Sequence, residues 1–278
     1  MKTILIPVDF SDTCLNTLKY AADLSRAIQV DRIVLLKSYY VSMYEELLPS
    51  TDFVQQSAES IQGNRQAQEQ QLLVVSKQLL QKCNPGIQIK IVSSNEPLLR
   101  AVHQQITKEK PDLLLLGTDG DANNESHVGQ QVVSIAKISP VPVLIIPPNA
   151  QHQALEYALV PCDFAAVTRL NILKDLRSLH LTSNPKLLIL NVDPKQNHLD
   201  HEKEHTEALK DVLESYNYKV YYANDQDTVK GIINFADSNQ VHLIIALPGK
   251  HSFFYNLTHQ SITHALAVNS HQPILILK

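Results

Sequence analysis

One whole domain appears twice in this chain, and that duplication limits the possible folds more than any other feature. Residues 4–10 read Ile-Leu-Ile-Pro-Val-Asp-Phe and residues 158–164 read Ala-Leu-Val-Pro-Cys-Asp-Phe. Pro7 and Pro161 stand 154 positions apart, as do the apolar runs Ile33-Val34-Leu35-Leu36 and Leu187-Leu188-Ile189-Leu190. The copies also close alike, on Pro142-Val143-Leu144-Ile145-Ile146 and on Pro273-Ile274-Leu275-Ile276-Leu277. Solenoid repeats run to about 20–50 residues, so a period this long is a domain copied once. The 278 residues then divide into 1–149 and 154–278. Pro147 and Pro148 end the last strand of the first copy, because neither can donate to a sheet ladder. So short a joint predicts that the halves pack on each other.

Within each half, short β-branched runs alternate with longer amphipathic segments. Strands are expected at about 3–8, 32–38, 87–93, 112–117 and 142–147, and again at about 155–160, 186–192, 218–223, 242–247 and 273–277. The first helix starts after Ser11 or Asp12 as N-cap, and others lie at about 55–83, 96–109 and from about Gly129. In the second half the helices fall at about 166–180, 199–216, 227–239 and 259–269. This alternation implies right-handed βαβ crossovers and an α/β fold of two tandem, doubly wound parallel sheets. Such sheets take ligands beyond the carboxyl ends of their strands, where the strand order reverses.

The copies differ in length, with 135 residues from Pro7 to Pro142 against 112 from Pro161 to Pro273. The excess lies around 41–65, as a lid or, more simply, a helix extension packed on the neighbouring half. Net charge is -4, with 13 basic and 15 acidic residues through 150 and 11 and 13 beyond it. Neither half is basic, so no nucleic-acid footprint is expected. No apolar run approaches the length of a membrane span, and Met1-Lys2-Thr3 leads straight into a strand with no leader pattern. Three widely spaced cysteines, Cys14, Cys83 and Cys162, suit reduced thiols in a cytoplasmic protein.

Only seven glycines occur, and three of them fall in Gly117-Thr-Asp-Gly120-Asp-Ala-Asn-Asn-Glu-Ser-His-Val-Gly129. This stretch follows the strand Leu113–Leu116 and precedes a helix. Glycines permit close backbone approach, and a helix N-terminus offers unpaired N–H groups to an anion. The spacing is neither that of a P-loop nor that of a dinucleotide fingerprint.

The opening Ile4-Leu5-Ile6-Pro7-Val8-Asp9-Phe10-Ser11, taken with this glycine loop before a Pro-Val-Leu-Ile strand, resembles the universal stress protein family. The likeness covers essentially the whole chain, as a tandem pair. It implies five-stranded domains of order 3-2-1-4-5, as in adenine-nucleotide α-hydrolase-like folds. It also implies ATP or another adenine nucleotide, with magnesium, in members that carry a Gly-x2-Gly-x9-Gly-Ser/Thr loop. Carried over, Pro7 and Asp9 would end the first strand at the adenine and ribose side, and Gly117, Gly120 and Gly129, with Gln130 next to them, would cradle the phosphates. The loop departs twice: eight residues separate Gly120 from Gly129, and Gln130 stands where the family has Ser or Thr, with Ser134 one turn on. In its loop the second copy matches the pattern only at Gly249 and Ser261, with Phe253, Phe254 and Tyr255 filling the stretch, while Asp163 survives from the opening motif. It reads as a degenerate site that has lost the nucleotide.

His198, His201 and His205 share one face of an expected helix and form a candidate zinc cluster. Their highly polar surroundings point instead to a solvated helix, and no tightly bound metal is expected. No acid–base pair or triad stands out, so no enzymatic role is expected, which leaves slow ATP hydrolysis open. The expectation is a stress-response protein that binds adenine nucleotide in its first domain and acts by regulation. Its partners would be its own second half, paired through Val143–Ile146 or Ile274–Leu277, a second copy of the chain, or an unidentified protein, but no nucleic acid or membrane. The alternatives are a nucleotide-free interaction module and an ATP-using enzyme of the wider α-hydrolase class.

Overall fold

The computed structural model describes residues 2–40, 58–119, 127–162, 170–173, 185–193, 207, 209–247, 266 and 270–278, without the side chains of 58–61 and 127–130. The first half runs β1 (Thr3–Pro7), α1 (Asp12–Ala27), β2 (Arg32–Ser38), α2 (Ala58–Lys82), β3 (Gln88–Ser94), α3 (Leu98–Glu109), β4 (Leu113–Gly117), α4 (His127–Ile138) and β5 (Val143–Ile146). The second half gives β6 (Tyr157–Pro161), β7 (Lys186–Val192), β8 (Tyr218–Ala223), α5 (Thr228–Ser238), β9 (Leu243–Ala246) and β10 (Ile274–Ile276). The expected helices over 166–180, 199–216 and 259–269 and the excess segment before α2 lie largely outside the described residues.

All the strands join one sheet, in the order β3-β2-β1-β4-β5-β10-β9-β6-β7-β8. Each half therefore carries the 3-2-1-4-5 order, and the halves meet edge to edge. The first half is parallel throughout: β1 lies between β2 and β4, with Leu5 opposite both Val34 and Leu114. The junction is antiparallel, with Ile274, Leu275 and Ile276 opposite Ile145, Leu144 and Val143. Two apolar edges that would otherwise face water cover each other there.

Side chains alternate across the sheet and give a core on each face. Ile4, Ile6, Ile33 and Leu35 pack with α1 and α2, while Leu5, Val34, Leu36 and Leu114 pack with α3 and α4. The outermost strands depart from the expectation of uniformly buried strands, because β3 and β8 each have one neighbour and are partly exposed. Helix α1 follows from local chemistry. The Ser11 hydroxyl accepts the Cys14 N–H at 3.2 Å, a cap worth about 1 kcal/mol, and Arg26 sits in the last turn, where a cation suits the dipole.

The duplication extends to a backbone clasp at the amino ends of the strands. In the first half the Asp112 N–H donates to the Thr3 carbonyl, and the Thr3 N–H donates to Asp112 Oδ2 at 2.7 Å. In the second half the His242 N–H donates to the Tyr157 carbonyl, and the Tyr157 N–H donates to His242 Nδ1 at 3.3 Å. An imidazole thus does in one copy what a carboxylate does in the other. Asn16 of α1 holds the joint between the halves by donating to the Pro147 and Ala150 carbonyls. Lys278, just past β10, donates to the Ala136 carbonyl in the last turn of α4, which ties the second half to the first.

Also at the amino ends, Glu109 is almost fully buried and meets Lys90 at 2.9 Å and Arg32 at 3.1 Å. The Lys90 hydrogen bond, helped by both cations, holds its carboxyl below the usual range against the opposing effect of burial. A carboxyl whose folded pKa is depressed adds stability above its unfolded pKa, near 4.3, and loses it as pH falls through the folded value. Glu109→Gln should therefore cost about 1–2 kcal/mol at pH 7, with Lys90 partly solvent-screened. The gap between variant and parent should close below about pH 4. Urea unfolding at pH 7 and pH 3 checks this, and an equal deficit at both would refute it.

Candidate functional site

Strand order reverses between β1 and β4, the place beyond whose carboxyl ends doubly wound sheets take their ligands. Pro7 ends β1 and Gly117 ends β4. Beyond Pro7 the chain turns sharply at Phe10, whose φ of 67° lies in the left-handed region, where a bulky residue is strained. The turn is held by Asp9, whose Oδ1 accepts from the Ser11 N–H at 3.1 Å and from the Ser11 hydroxyl at 2.7 Å. The family resemblance would set Asp9 at the ribose side. Here Asp9 holds the residue that does the capping.

The opposite wall is tied to α1. A Cβ on Gly117 would stand 2.5 Å from Thr17 Oγ1 and 3.0 Å from the Thr13 carbonyl. Only glycine lets β4 and α1 approach this closely. Two residues on, Asp119 Oδ1 accepts from the Thr13 hydroxyl, and Thr17 in turn donates to the Thr13 carbonyl. Thr13, Thr17 and Asp119 were missed in the sequence. The two threonines lie one helical turn apart, a pattern that ordinary helix surfaces also carry, and nothing local pairs them with a residue more than a hundred positions away.

Gly120 lies outside the described residues. Gly129 falls inside α4, which begins at His127, two residues earlier than the glycine suggested. Gly129 and the backbone of Gln130 thus belong to the first turn, whose N–H groups have no partner within the helix. His127 opens that helix. Ser134 is exposed a turn further on.

Lys37, also unforeseen, leaves β2 on the α1 side. Its ammonium lies 5.1 Å from the centre of the Phe10 ring and 5.7 Å from that of Tyr39. Burial lowers its pKa, while Asp9 raises it. Cys14, in the first turn of α1, is buried, and burial followed by the Asp9 charge pushes its thiol up to about 11. Buried in the cluster beside α1, Cys14 packs as a core residue.

In the second half the counterpart of Lys37 is Asn191, one past the Leu190 that pairs with Pro161. It is buried, and its Nδ2 donates to the Cys162 carbonyl at 3.0 Å, so an uncharged amide fills the position of the first half's cation. Asp163, Gly249, Ser261 and the candidate zinc cluster His198, His201 and His205 lie outside the described residues. Among the described residues, no group of three His, Cys, Asp or Glu side chains is placed to hold a metal ion. Nor is any helix there long and apolar enough to cross a membrane.

The sequence model described as the Universal stress protein family matches residues 1–147, more than half of the chain. The chain belongs to the universal stress protein family. Its fold is shared over nearly its whole length with a universal stress protein from Archaeoglobus fulgidus DSM 4304. That likeness has a TM-score of 0.68 and 17% identity, and it covers 99% of this chain and 98% of the other. A functionally unknown protein from Pseudomonas aeruginosa PAO1 is similar at TM-score 0.55 and 13% identity, over 100% and 92% of the two chains. No curated protein matches the sequence. The family match ends at residue 147, while the second half repeats the strand order.

Proposed function

We propose that this universal stress protein binds an adenine nucleotide in its first half and that occupancy regulates a partner rather than feeding turnover. The supporting observation is the route of the glycine-bearing segment. It leaves β4 at Gly117, where strand order reverses, and enters the first turn of α4 around Gly129. Backbone N–H groups there suit a phosphate, and Pro7 and Asp9 at the end of β1 suit the base and ribose. Family membership gives the stress-response setting. The second half acts as a built-in partner through β10, and further partners would be a second copy of the chain or another protein.

To test this, nucleotide released from the denatured protein is identified, and ATP with magnesium is then titrated by calorimetry against the parent and Gly129→Arg. The expected result is about one site per chain, weakened at least about tenfold by the arginine that crowds the first turn of α4. No nucleotide and no heat from a folded protein would refute the reading. It would favour the nucleotide-free interaction module, for which one observation already speaks: close packing on α1 accounts for Gly117 without any ligand.

A further inference from the structure

We propose that acid opens the amino-end clasp of the second half and leaves that of the first half shut, because an imidazole holds the one and a carboxylate the other. No nucleotide is involved. Asp112 stands just before β4 and accepts from the N–H of Thr3, the first residue of β1. Its carboxylate also attracts the Lys2 ammonium. His242 stands just before β9 and accepts at Nδ1 from the N–H of Tyr157, the first residue of β6. A proton acts on the two acceptors differently. A carboxyl keeps an acceptor oxygen when it is protonated. A neutral imidazole accepts at one nitrogen only, and a protonated one donates from both. Imidazoles in general take up a proton between about pH 8 and 5, where carboxylates in general stay ionised.

The setting of His242 puts the proton where it does most harm. Its ring stacks on that of Tyr157, with centroids 6.2 Å and planes 18° apart. A proton gained at Nδ1 therefore faces the Tyr157 N–H, donor against donor. The charged and titratable groups on the neighbouring described elements are Glu156 before Tyr157, Lys186 opposite Tyr157 in β7, Asp237 in the last turn of α5 and His271 before β10. Glu156 and Lys186 are of opposite sign, and Asp237 already meets His271 at 3.4 Å and Gln272 at 2.8 Å. His271 is a second imidazole and needs its own control. From this clasp β9 runs alongside β10, the strand that covers β5. The response to acid thus falls on the half that caps the first.

The test is nuclear magnetic resonance of the full chain labelled with 15N-tyrosine, with the Tyr157 amide assigned through Tyr157→Phe. As the pH falls from about 8 to about 5, that signal should move in the parent and in His271→Gln. It should stay still in His242→Asp, whose carboxylate restores an acceptor. Exchange of the Tyr157 amide, corrected for its intrinsic rate, should be several-fold faster at the acid end in the parent and unchanged in His242→Asp. With 15N-threonine, the Thr3 amide should stay still throughout. A Tyr157 signal that does not move in the folded parent, or that moves equally in His242→Asp, would overturn the proposal. Circular dichroism reports the fold at each pH. If acid unfolds the parent, the comparison at about pH 8 decides. There His242→Leu should displace the Tyr157 signal and speed its exchange while His242→Asp does not, and identical behaviour of all three proteins would equally overturn the proposal.

Discussion

Leu275→Pro should cost at least about 4 kcal/mol and replace a single unfolding transition by two. Leu275 is fully buried at the centre of β10, which has β5 on one side and β9 on the other. Proline removes a ladder donor whichever neighbour that N–H serves, about 3 kcal/mol, and the lost leucine packing adds about 2 kcal/mol or more. A typical domain is stable by only about 5–15 kcal/mol, so the second half should be left marginal. The first half loses only the cover over β5 and should keep its own transition. Urea unfolding followed by far-UV circular dichroism and by size-exclusion chromatography reads both effects. If Leu275→Pro unfolds at the parent's midpoint, the antiparallel junction does not hold the halves together.

Gly117→Val should destabilise the first half by about 3 kcal/mol and Gly117→Ala by about 1–3 kcal/mol, before any ligand is considered. An added Cβ meets Thr17 Oγ1 at 2.5 Å, Thr13 Cγ2 at 2.9 Å and the Thr13 carbonyl at 3.0 Å. The two side-chain contacts can yield by rotation, but the carbonyl belongs to the first turn of α1 and cannot move alone. The helix must shift, and the Thr13–Asp119 bond that closes this wall should break with it. Adding Thr17→Ala to Gly117→Ala removes the nearest contact and should restore part of the loss. Denaturant midpoints of the three variants decide the matter. A stable Gly117→Ala would mean that β4 and α1 stand further apart than described, and would return Gly117 to a role at the ligand alone.

Much of the architecture was legible in the residues. Ser11 could be named as a cap because an N-cap needs only a short polar side chain before an apolar stripe, and the structure has it accepting from Cys14. Alternating runs such as Ile33–Leu36 and Leu187–Leu190 read as buried strands because both of their faces are apolar. Boundaries were less exact. Gly129 looked like the start of α4, yet the helix begins at His127. Around Pro7, the sequence did not show that Asp9 holds Ser11 or that Gly117 lies against α1.

By itself, then, the sequence determined that the chain is α/β, that its strand pattern occurs twice, and where the strands lie. These are periodicities and local propensities, set by residues a few positions apart. The tertiary structure alone decided that β5 and β10 pair antiparallel, that His242 takes the part of Asp112, that Thr13 reaches Asp119, and that Gly117 lies against α1. Each of those contacts joins residues far apart in the chain, so its geometry depends on how helices and strands pack, and no short window of sequence records that.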